Sequence, residues 1–226
     1  MLAPFILLVG YCGVLSLTSP NPPPKNCYKI DRIYVSNNVV MPLARKIGSL
    51  LFLSQAMLSF LRSWDGQSLP PQVCPNPSNV NSNILSWTPT TILAVAIALV
   101  GASIRLPAYR TLGRNFTFDI APPDRLVTSG AYRYLQHPSY TGQFLVISGC
   151  FGLFFRWDGP LACWFSPSTR QALDGWGLPL ILLVLAGTIW QTLCRIQDEE
   201  MMMKEKFGKE WEEWHSKTSR LIPGLF

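Results

Sequence analysis

Charged residues are scarce in this chain: Asp, Glu, Lys and Arg make up 14% of its 226 residues, whereas hydrophobic residues make up 48%. The apolar residues also come in long blocks. Both features exclude an ordinary soluble domain and predict a polytopic membrane protein. The formal net charge of +6 does not indicate a nucleic-acid-binding surface, because the basic residues are spread over the segments that flank the apolar blocks.

Metal-binding patterns are also missing. The chain has two histidines, His137 and His215, and neither has a cysteine at the spacing of a metal site. The cysteines are scattered and include no Cys-x-x-Cys pair. We therefore expect no bound metal, and free thiols rather than disulfides or zinc. The six cysteines are Cys12, Cys27, Cys74, Cys150, Cys163 and Cys194.

Five apolar segments predict an all-α polytopic membrane protein with about five transmembrane helices. The second is short: fifteen residues at about 1.5 Å each do not cross a hydrocarbon core of ~30 Å, so a re-entrant or interfacial helix is an alternative. The first could be a signal peptide, but its start carries no basic residue, which favours a helix. The segments are residues 1–17, 47–61, 88–104, 138–155 and 177–194.

Two of these regions carry finer patterns. Small residues in the third segment (Ala94, Ala98 and Gly101 among them) would let another helix approach closely. After the fifth segment, residues 195–217 are rich in Glu, Lys and Met, which predicts a C-terminal helix. The residues Met203, Phe207, Trp211 and Trp214 recur at spacings of 3 to 4, so we expect one apolar stripe on the membrane or on the core.

The positions of Lys and Arg predict the orientation. Five lie in residues 18–46, five in 105–136 and six from Arg195 onward; the other three are Arg62, Arg156 and Arg170. With five spans, the positive-inside rule places residues 105–136 and the C-terminal segment on the cytosolic face. The sequon Asn115-Phe116-Thr117 would then lie in the cytosol and stay unmodified.

A polar stretch, residues 125–142, leads directly into the fourth apolar segment. Pro138 favours an extended conformation at His137, and Gly130 and Gly142 permit a tight turn or close approach to a ligand. A second polar group follows the fifth segment: Arg195 and then Glu199 and Glu200. Because Arg195 and Glu199 are one helical turn apart, they should share a face.

These two motifs resemble those of the isoprenylcysteine carboxyl methyltransferase family, within a wider group of membrane methyltransferases that includes phospholipid methyltransferases. The first is Leu-Val-Thr-Ser-Gly-x-Tyr followed by His-Pro-Ser-Tyr-x-Gly, within residues 126–142. The second is Arg-x-x-x-Glu-Glu at 195–200, then Phe-Gly at 207–208 and Arg-Leu-Ile-Pro-Gly at 220–224. The resemblance covers residues 101–226, so we divide the chain into an N-terminal transmembrane region (1–100) and a methyltransferase core (101–226).

The resemblance implies that S-adenosylmethionine is the cofactor and that Arg195 binds the substrate carboxylate, as a bidentate guanidinium can. From residue type alone, Glu199 could be a solvated helix charge, His137 a helix cap, and Arg195 a positive anchor at the membrane surface. Tyr132 and Tyr140 could be interfacial aromatic residues. The residues implied to bind the cofactor are Arg125, Leu126, Val127, Tyr132, His137, Pro138, Ser139, Tyr140 and Glu199.

The resemblance also implies the reaction: methylation of the C-terminal prenylcysteine α-carboxylate of CaaX-processed proteins, giving a methyl ester. A carboxylate is already ionised at neutral pH and needs no general base, whereas an amine acceptor would have to lose a proton. The implied partners are prenylated protein or peptide C-termini and the lipid bilayer, at the endoplasmic reticulum with the site facing the cytosol. The alternatives are a phospholipid methyltransferase, a membrane sterol reductase using NADPH, and a membrane scaffold.

The sequence departs from the family pattern near both motifs. Gln136 stands where the family usually has Arg, and Arg133 could compensate. Trp211 and Trp214 replace tyrosines, and His215 has no assigned role and is expected at the surface. The loop between residues 115 and 125 looks shorter than in animal members, so no cofactor contact is assigned to it.

Overall fold

The computed structural model describes residues 1–24, 36–65 and 69–225, and within those ranges the chain is helical and contains no β-strand. The predicted all-α class is therefore confirmed. Cys27 and the basic residues Lys25, Lys29 and Arg32 lie outside the described residues. The α-helices are α1 (Ala3–Ser16), α2 (Met41–Asp65), α3 (Pro89–Leu112), α4 (Pro138–Leu153), α5 (Pro167–Ala172), α6 (Gly177–Phe207) and α7 (Lys209–His215).

Helices α1 to α4 enclose one apolar core, and α3 and α4 make the closest pair. Glycines permit this approach: a Cβ added to Gly142 would lie 2.7 Å from the backbone nitrogen of Arg105, and one added to Gly149 would lie 2.6 Å from the carbonyl oxygen of Ala94. The close approach expected from the small residues of the third segment is confirmed. The core contains Leu2, Ile6, Val9, Leu51, Ala56, Ala94, Val95, Ala98, Ala102, Val146, Cys150, Leu153 and Phe154.

The ends of the long helices differ from the prediction. Helix α2 runs from Met41 to Asp65, 25 residues or ~37 Å, because polar residues beyond 47–61 remain helical. Helix α3 continues to Leu112, so Arg105 is a helical residue and not part of a loop. In the C-terminal region, Gly208 has φ +51° and ends α6, and α7 starts anew. The expected single stripe is therefore divided between two helices, with Met203 on α6 and Trp211 on α7.

The expectation that the cysteines are free thiols is wrong for one pair. A disulfide joins Cys74, between α2 and α3, to Cys163, between α4 and α5, across 89 residues. The two connections bury an apolar cluster that includes Leu58, Val80 and Ile84. The spacing of the cysteines did not predict this pairing, because the two loops are distant in sequence and only the fold brings them together. Among the described cysteines, Cys12, Cys150 and Cys194 are free.

Two stretches are long and apolar enough to cross a membrane: Pro89–Asn115 and Gly177–Phe207. Only 6% of the apolar window in α6 is buried within the protein, which indicates contact with lipid. Four exposed tryptophans lie at the ends of helices or in loops on the disulfide side, where indole rings favour the membrane interface: Trp64, Trp87, Trp164 and Trp176. Five spans, and the division of the chain at residue 100, stay predictions.

Candidate functional site

The two polar motifs meet at the end of the bundle opposite the disulfide. The hydroxyl of Tyr140, in the first turn of α4, donates a hydrogen bond to Oε1 of Glu199 in α6 at 2.6 Å. The same oxygen accepts from Nε of Arg195 at 2.9 Å. The predicted shared face of Arg195 and Glu199 is confirmed. Glu199 is consequently not a freely solvated helix charge, and the Arg195 side chain is buried.

His137 lies between two carboxylates. Its Nδ1 is 3.6 Å from Oε2 of Glu199 and its Nε2 is 3.4 Å from Oε1 of Glu200. Pro138 occupies the first position of α4, and the His137 side chain makes no capping hydrogen bond. His137 therefore occupies the N-cap position of α4 but does not cap the helix with its side chain, and the ring is placed to contact a ligand or to orient the acidic groups.

A cavity of about 190 Å³ opens between these residues. Its wall combines charged and hydroxyl-bearing side chains with a larger apolar area, and we call it the polar cavity after the former. Leu126 and Pro138 do not line it, and the buried Pro138 instead shapes the start of α4. The remaining predicted cofactor residues and Arg195 all lie on its wall. They are Arg125, Val127, Tyr132, His137, Ser139, Tyr140, Glu199 and Arg195.

Tyr132 forms part of the floor of the polar cavity. It is buried with Val127 and Ala108, and its carbonyl oxygen accepts a hydrogen bond from the indole of Trp214 at 3.0 Å. Burial, and secondarily the nearby Glu199 carboxylate, raise the pKa of the Tyr132 phenol above its usual range. The phenol is therefore neutral across the physiological pH range.

Sequence reasoning missed Arg105 as a site residue. Its side chain, 3% exposed, lies on the cavity wall. It donates to the carbonyl oxygen of Ser16 at the end of α1, and to Oγ and the carbonyl oxygen of Ser139 in α4. No carboxylate pairs with it among the described residues. The available signal was an arginine inside an apolar helix, which usually marks a functional position.

The C-terminal segment holds the first motif in place and accommodates Gln136. The side-chain amide of Gln136 donates to the carbonyl oxygens of His215 and Thr218, at 3.1 and 2.6 Å. Its oxygen then accepts from Nδ1 of His215 at 2.8 Å. His215 also stacks on Trp211, so its predicted surface placement without a role is wrong. Arg133 is exposed and lies near the Tyr134 ring, so it does not compensate for the missing arginine.

Backbone contacts extend this attachment. The amide of Gln136 donates to the Ser219 carbonyl and that of His137 to the Arg220 carbonyl. The hydroxyl of Thr141 donates to the carbonyl of Leu221 at 2.6 Å. Arg220 in turn binds Oε2 of Glu200 at 2.8 Å. The C-terminal segment thus fixes the position of the first motif.

The loop after α3 forms another wall of the polar cavity, although no cofactor contact was assigned to it from the sequence. Residues 115–121 line it, and Ile120 is buried. Asn21, from the segment after α1, donates to the carbonyl oxygens of Gly113 and Phe116 at 2.8 and 2.7 Å. A polar residue 92 positions earlier in the chain therefore holds this loop, a pairing that no local pattern indicates.

A second, apolar cavity of about 410 Å³ lies between α1, α2, α4 and α6. Most of its wall is aliphatic or aromatic, with Val14, Phe52 and Val146 as examples. The two cavities adjoin, because both are lined by Leu17, Met41, Gln143, Thr188 and Gln191. We call these five residues the throat. Within the described residues, no group of three or more His, Cys, Asp or Glu side chains could hold a metal ion.

Comparison with known proteins shows which family and which relatives the chain resembles. The model of the isoprenylcysteine carboxyl methyltransferase (ICMT) family matches residues 93–167. A protein-S-isoprenylcysteine O-methyltransferase of Dictyostelium discoideum is 29% identical over 136 residues, which cover 58% of this chain and 48% of the relative. One of Xenopus laevis is 25% identical over 171 residues, 74% of this chain and 49% of the relative.

A probable protein-S-isoprenylcysteine O-methyltransferase of Oryza sativa subsp. indica is 27% identical over 136 residues. That match covers 58% of this chain and 60% of the relative. The chain thus spans about half to three fifths of the length of these curated relatives. The resemblance first indicated by the two motifs is confirmed: the chain is similar to the isoprenylcysteine carboxyl methyltransferase family model and to these named relatives.

Proposed function

We propose that this protein transfers a methyl group from S-adenosylmethionine to the C-terminal carboxylate of a prenylcysteine, forming a methyl ester. The observation that carries the proposal is the throat, where a polar cavity with acidic and basic walls adjoins an apolar cavity within a membrane bundle. A prenylcysteine has this same division into a charged end and a hydrocarbon chain.

The residues of the polar cavity suit S-adenosylmethionine. His137 and Glu200 contribute an imidazole and a carboxylate to the wall, with Nε2 and Oε1 3.4 Å apart, and these groups can bond polar atoms of a ligand. Glu199 provides a negative charge for the cofactor's ammonium or ribose hydroxyls. The cofactor carboxylate would lie toward His137 and the amide groups at the start of α4, where an anion is favoured. When bound, the cofactor supplies an electrophilic methyl group on a positively charged sulfur.

Two buried arginines on the cavity wall, Arg105 and Arg195, suit an anionic acceptor. The guanidinium of Arg195 can orient the prenylcysteine carboxylate, while that of Arg105 adds positive potential. The acceptor oxygen is ionised at neutral pH, so no side chain has to take a proton. The protein's contribution is therefore alignment of the two reactants and exclusion of water. An amine acceptor, as in a phospholipid methyltransferase, is disfavoured beside these two cations.

The fold also supports an orientation with the polar cavity toward the cytosol. The Cys74–Cys163 disulfide lies in the connections at the opposite end of the bundle, and disulfides persist in oxidising compartments such as the lumen of the endoplasmic reticulum. The distribution of Lys and Arg in the sequence favours the same orientation. A glycan on Asn115, which lies on the cavity wall, would contradict it.

The test is transfer of labelled methyl from S-adenosylmethionine to N-acetyl-S-farnesylcysteine in membranes that contain the full chain. We expect a base-labile methyl ester, lost in Arg195→Ala while binding of S-adenosylhomocysteine is retained. Arg62→Ala, an exposed arginine at the opposite end of α2, is the matched control and should behave as wild type.

Other outcomes identify other functions. Binding of S-adenosylhomocysteine without methyl transfer to the prenylcysteine would refute the proposed substrate and favour a lipid amine acceptor. Binding of NADPH in place of S-adenosylhomocysteine would favour a reductase. Binding of neither would favour a scaffold.

A further inference from the structure

The closing motif Arg-Leu-Ile-Pro-Gly, residues 220–224, supplies no wall residue to either cavity. Its first residue, Arg220, is 52% exposed, yet its guanidinium reaches a buried acid. Nη2 of Arg220 lies 2.8 Å from Oε2 of Glu200, whose side chain is 11% exposed and lines the polar cavity. Through this ion pair, a surface cation can influence a ligand that it does not touch.

Glu200 connects Arg220 to His137. The second carboxylate oxygen of Glu200, Oε1, lies 3.4 Å from Nε2 of the imidazole, which is itself on the cavity wall. Arg220 and His137 therefore contact opposite oxygens of one carboxylate. With Oε2 held by Arg220, Oε1 stays directed at the imidazole, and the orientation of the His137 side chain depends on a residue outside the cavity.

A backbone hydrogen bond closes this chain of contacts into a circuit. The amide nitrogen of His137 donates to the carbonyl oxygen of Arg220 at 3.0 Å. Residue 220 thus holds residue 137 twice: directly through the main chain, and by way of Glu200 through the side chains. The circuit joins the start of α4, the polar half of α6 and the segment after α7. Rotation of the imidazole would break the Glu200 contact, so the circuit restrains both the main chain and the side chain of His137.

We propose that Arg220 is a positioning residue of the cofactor site: it holds Glu200, and through it the His137 imidazole, in the orientation that binds S-adenosylmethionine. This inference rests on the proposed methyltransferase function and adds to it a residue that lines neither cavity. It also assigns a role to the closing motif, which brings a cation back to the start of α4.

The experiment measures the Kd of S-adenosylhomocysteine by titration calorimetry, with the purified full chain in lipid nanodiscs. Arg220→Lys, Arg220→Gln and Arg220→Glu change the side chain and keep the main-chain contact. Because a partly exposed ion pair contributes modestly, we expect a Kd about threefold higher in Arg220→Gln. Arg220→Lys should stay closer to the wild type, and Arg220→Glu should bind most weakly because it repels Glu200. Lys217→Gln, an exposed cation in the same segment, is the matched control and should leave the Kd unchanged.

A double-mutant cycle tests whether Arg220 acts through Glu200. Arg220→Gln should raise the Kd in the wild-type background but not in Glu200→Gln, where the ion pair is already lost. Initial rates provide a second readout: Arg220→Gln should raise the KM for S-adenosylmethionine, while kcat and the KM for prenylcysteine stay at their wild-type values. An equal effect of Arg220→Gln in both backgrounds would overturn the inference.

The outcomes separate this inference from the function on which it rests. No binding of S-adenosylhomocysteine by the wild type would refute the proposed function. Wild-type binding with an unchanged Kd in both Arg220→Gln and Arg220→Glu would overturn the inference alone. A lower Tm with an unchanged Kd would give Arg220 a structural role only and would equally overturn it. If Arg220→Glu does not accumulate, the comparison of Arg220→Gln with Arg220→Lys decides, since equal Kd values in these two would contradict a role for the charge.

Discussion

Tyr140 donates its phenolic hydrogen to Oε1 of Glu199 at 2.6 Å, although 59 positions separate the two residues in the chain. The bond joins the start of α4 to the polar half of α6, and with it the two sequence motifs. The same carboxylate oxygen accepts from Arg195. Glu199 thus links Tyr140, a proposed cofactor-binding residue, to Arg195, the proposed substrate-binding residue.

Replacing Glu199 by Gln should weaken cofactor binding selectively. The amide retains hydrogen-bonding capacity but loses the negative charge that the cofactor's ammonium or ribose would meet. We expect an approximately tenfold higher apparent KM for S-adenosylmethionine, equivalent to about 1.4 kcal/mol, with a smaller change in KM for prenylcysteine. Initial-rate measurements with each reactant varied would separate the two constants.

Glu213→Gln is the control for this change, because Glu213 is exposed on α7. Equal increases in both KM values for Glu199→Gln would mean that the substitution disturbs the whole site, and would contradict a dedicated cofactor role.

Arg105 should matter for both stability and activity. Its guanidinium connects the end of α1 to the start of α4 through Ser16 and Ser139, so Arg105→Ala leaves buried acceptors unsatisfied. We expect a loss of about 3 kcal/mol in the free energy of unfolding, measured as a lower Tm in detergent. Arg105→Lys should recover part of the stability, but less of the methyl transfer, because an ammonium cannot reproduce the forked contacts.

Arg110→Ala, an exposed arginine on the same helix, should change neither quantity. A wild-type Tm in Arg105→Ala would show that the contacts of Arg105 contribute nothing to the bundle.

The sequence allowed the helical class, the two motifs and most of the cavity wall to be predicted, because these depend on local composition and spacing. Arg195 and Glu199 share a face simply because they are one turn apart on a helix. The Cys74–Cys163 pair, the Asn21 contacts and the apolar cavity could not be predicted, since each depends on segments that are distant in sequence and that only the fold brings together. His215 was misjudged because only the fold brings it to Gln136.

Gln136→Arg, which restores the residue usual in the family, should be harmful in this chain. Gln136 is buried and its amide already satisfies two carbonyl oxygens and the His215 ring. A guanidinium at this position would displace those contacts and face Nδ1 of His215, which also carries a hydrogen. We expect a lower Tm and reduced methyl transfer.

The double variant Gln136→Arg/His215→Ala should recover part of both losses, because it removes the opposing donor and provides space. Full activity and stability of Gln136→Arg alone would show that the Gln136–His215 contact is dispensable.

Stability on the disulfide side should depend on acid pH through Asp158. Burial alone would raise the pKa of this carboxyl, but hydrogen bonds from Arg156 and Asn81, together with the charge of Arg156, hold it below the usual range. Because the folded-state pKa is the lower one, the contribution to stability is present above the unfolded pKa of about 3.9 and is lost as pH falls through the folded value. Thermal unfolding between about pH 6 and about pH 3 should show this loss.

Asp158→Asn should have a lower Tm near neutral pH and a smaller decrease on acidification than the wild type. An identical pH dependence in both proteins would assign the acid sensitivity to other groups.

The Cys74–Cys163 disulfide should stabilise the fold without taking part in the reaction, because it lies at the end of the bundle opposite the polar cavity. It closes a loop of 89 residues, and removal of such a bond costs typically about 2–4 kcal/mol. Cys74→Ser/Cys163→Ser should therefore lower the Tm while leaving the KM for S-adenosylmethionine unchanged at temperatures where the variant is folded. Cys194→Ser, which removes a free thiol, should change neither the Tm nor this KM.

Labelling of intact microsomes with a membrane-impermeant maleimide provides the topological check. After reduction, Cys74 and Cys163 should react only once the membrane is permeabilised, and reaction in sealed vesicles would reverse the proposed orientation.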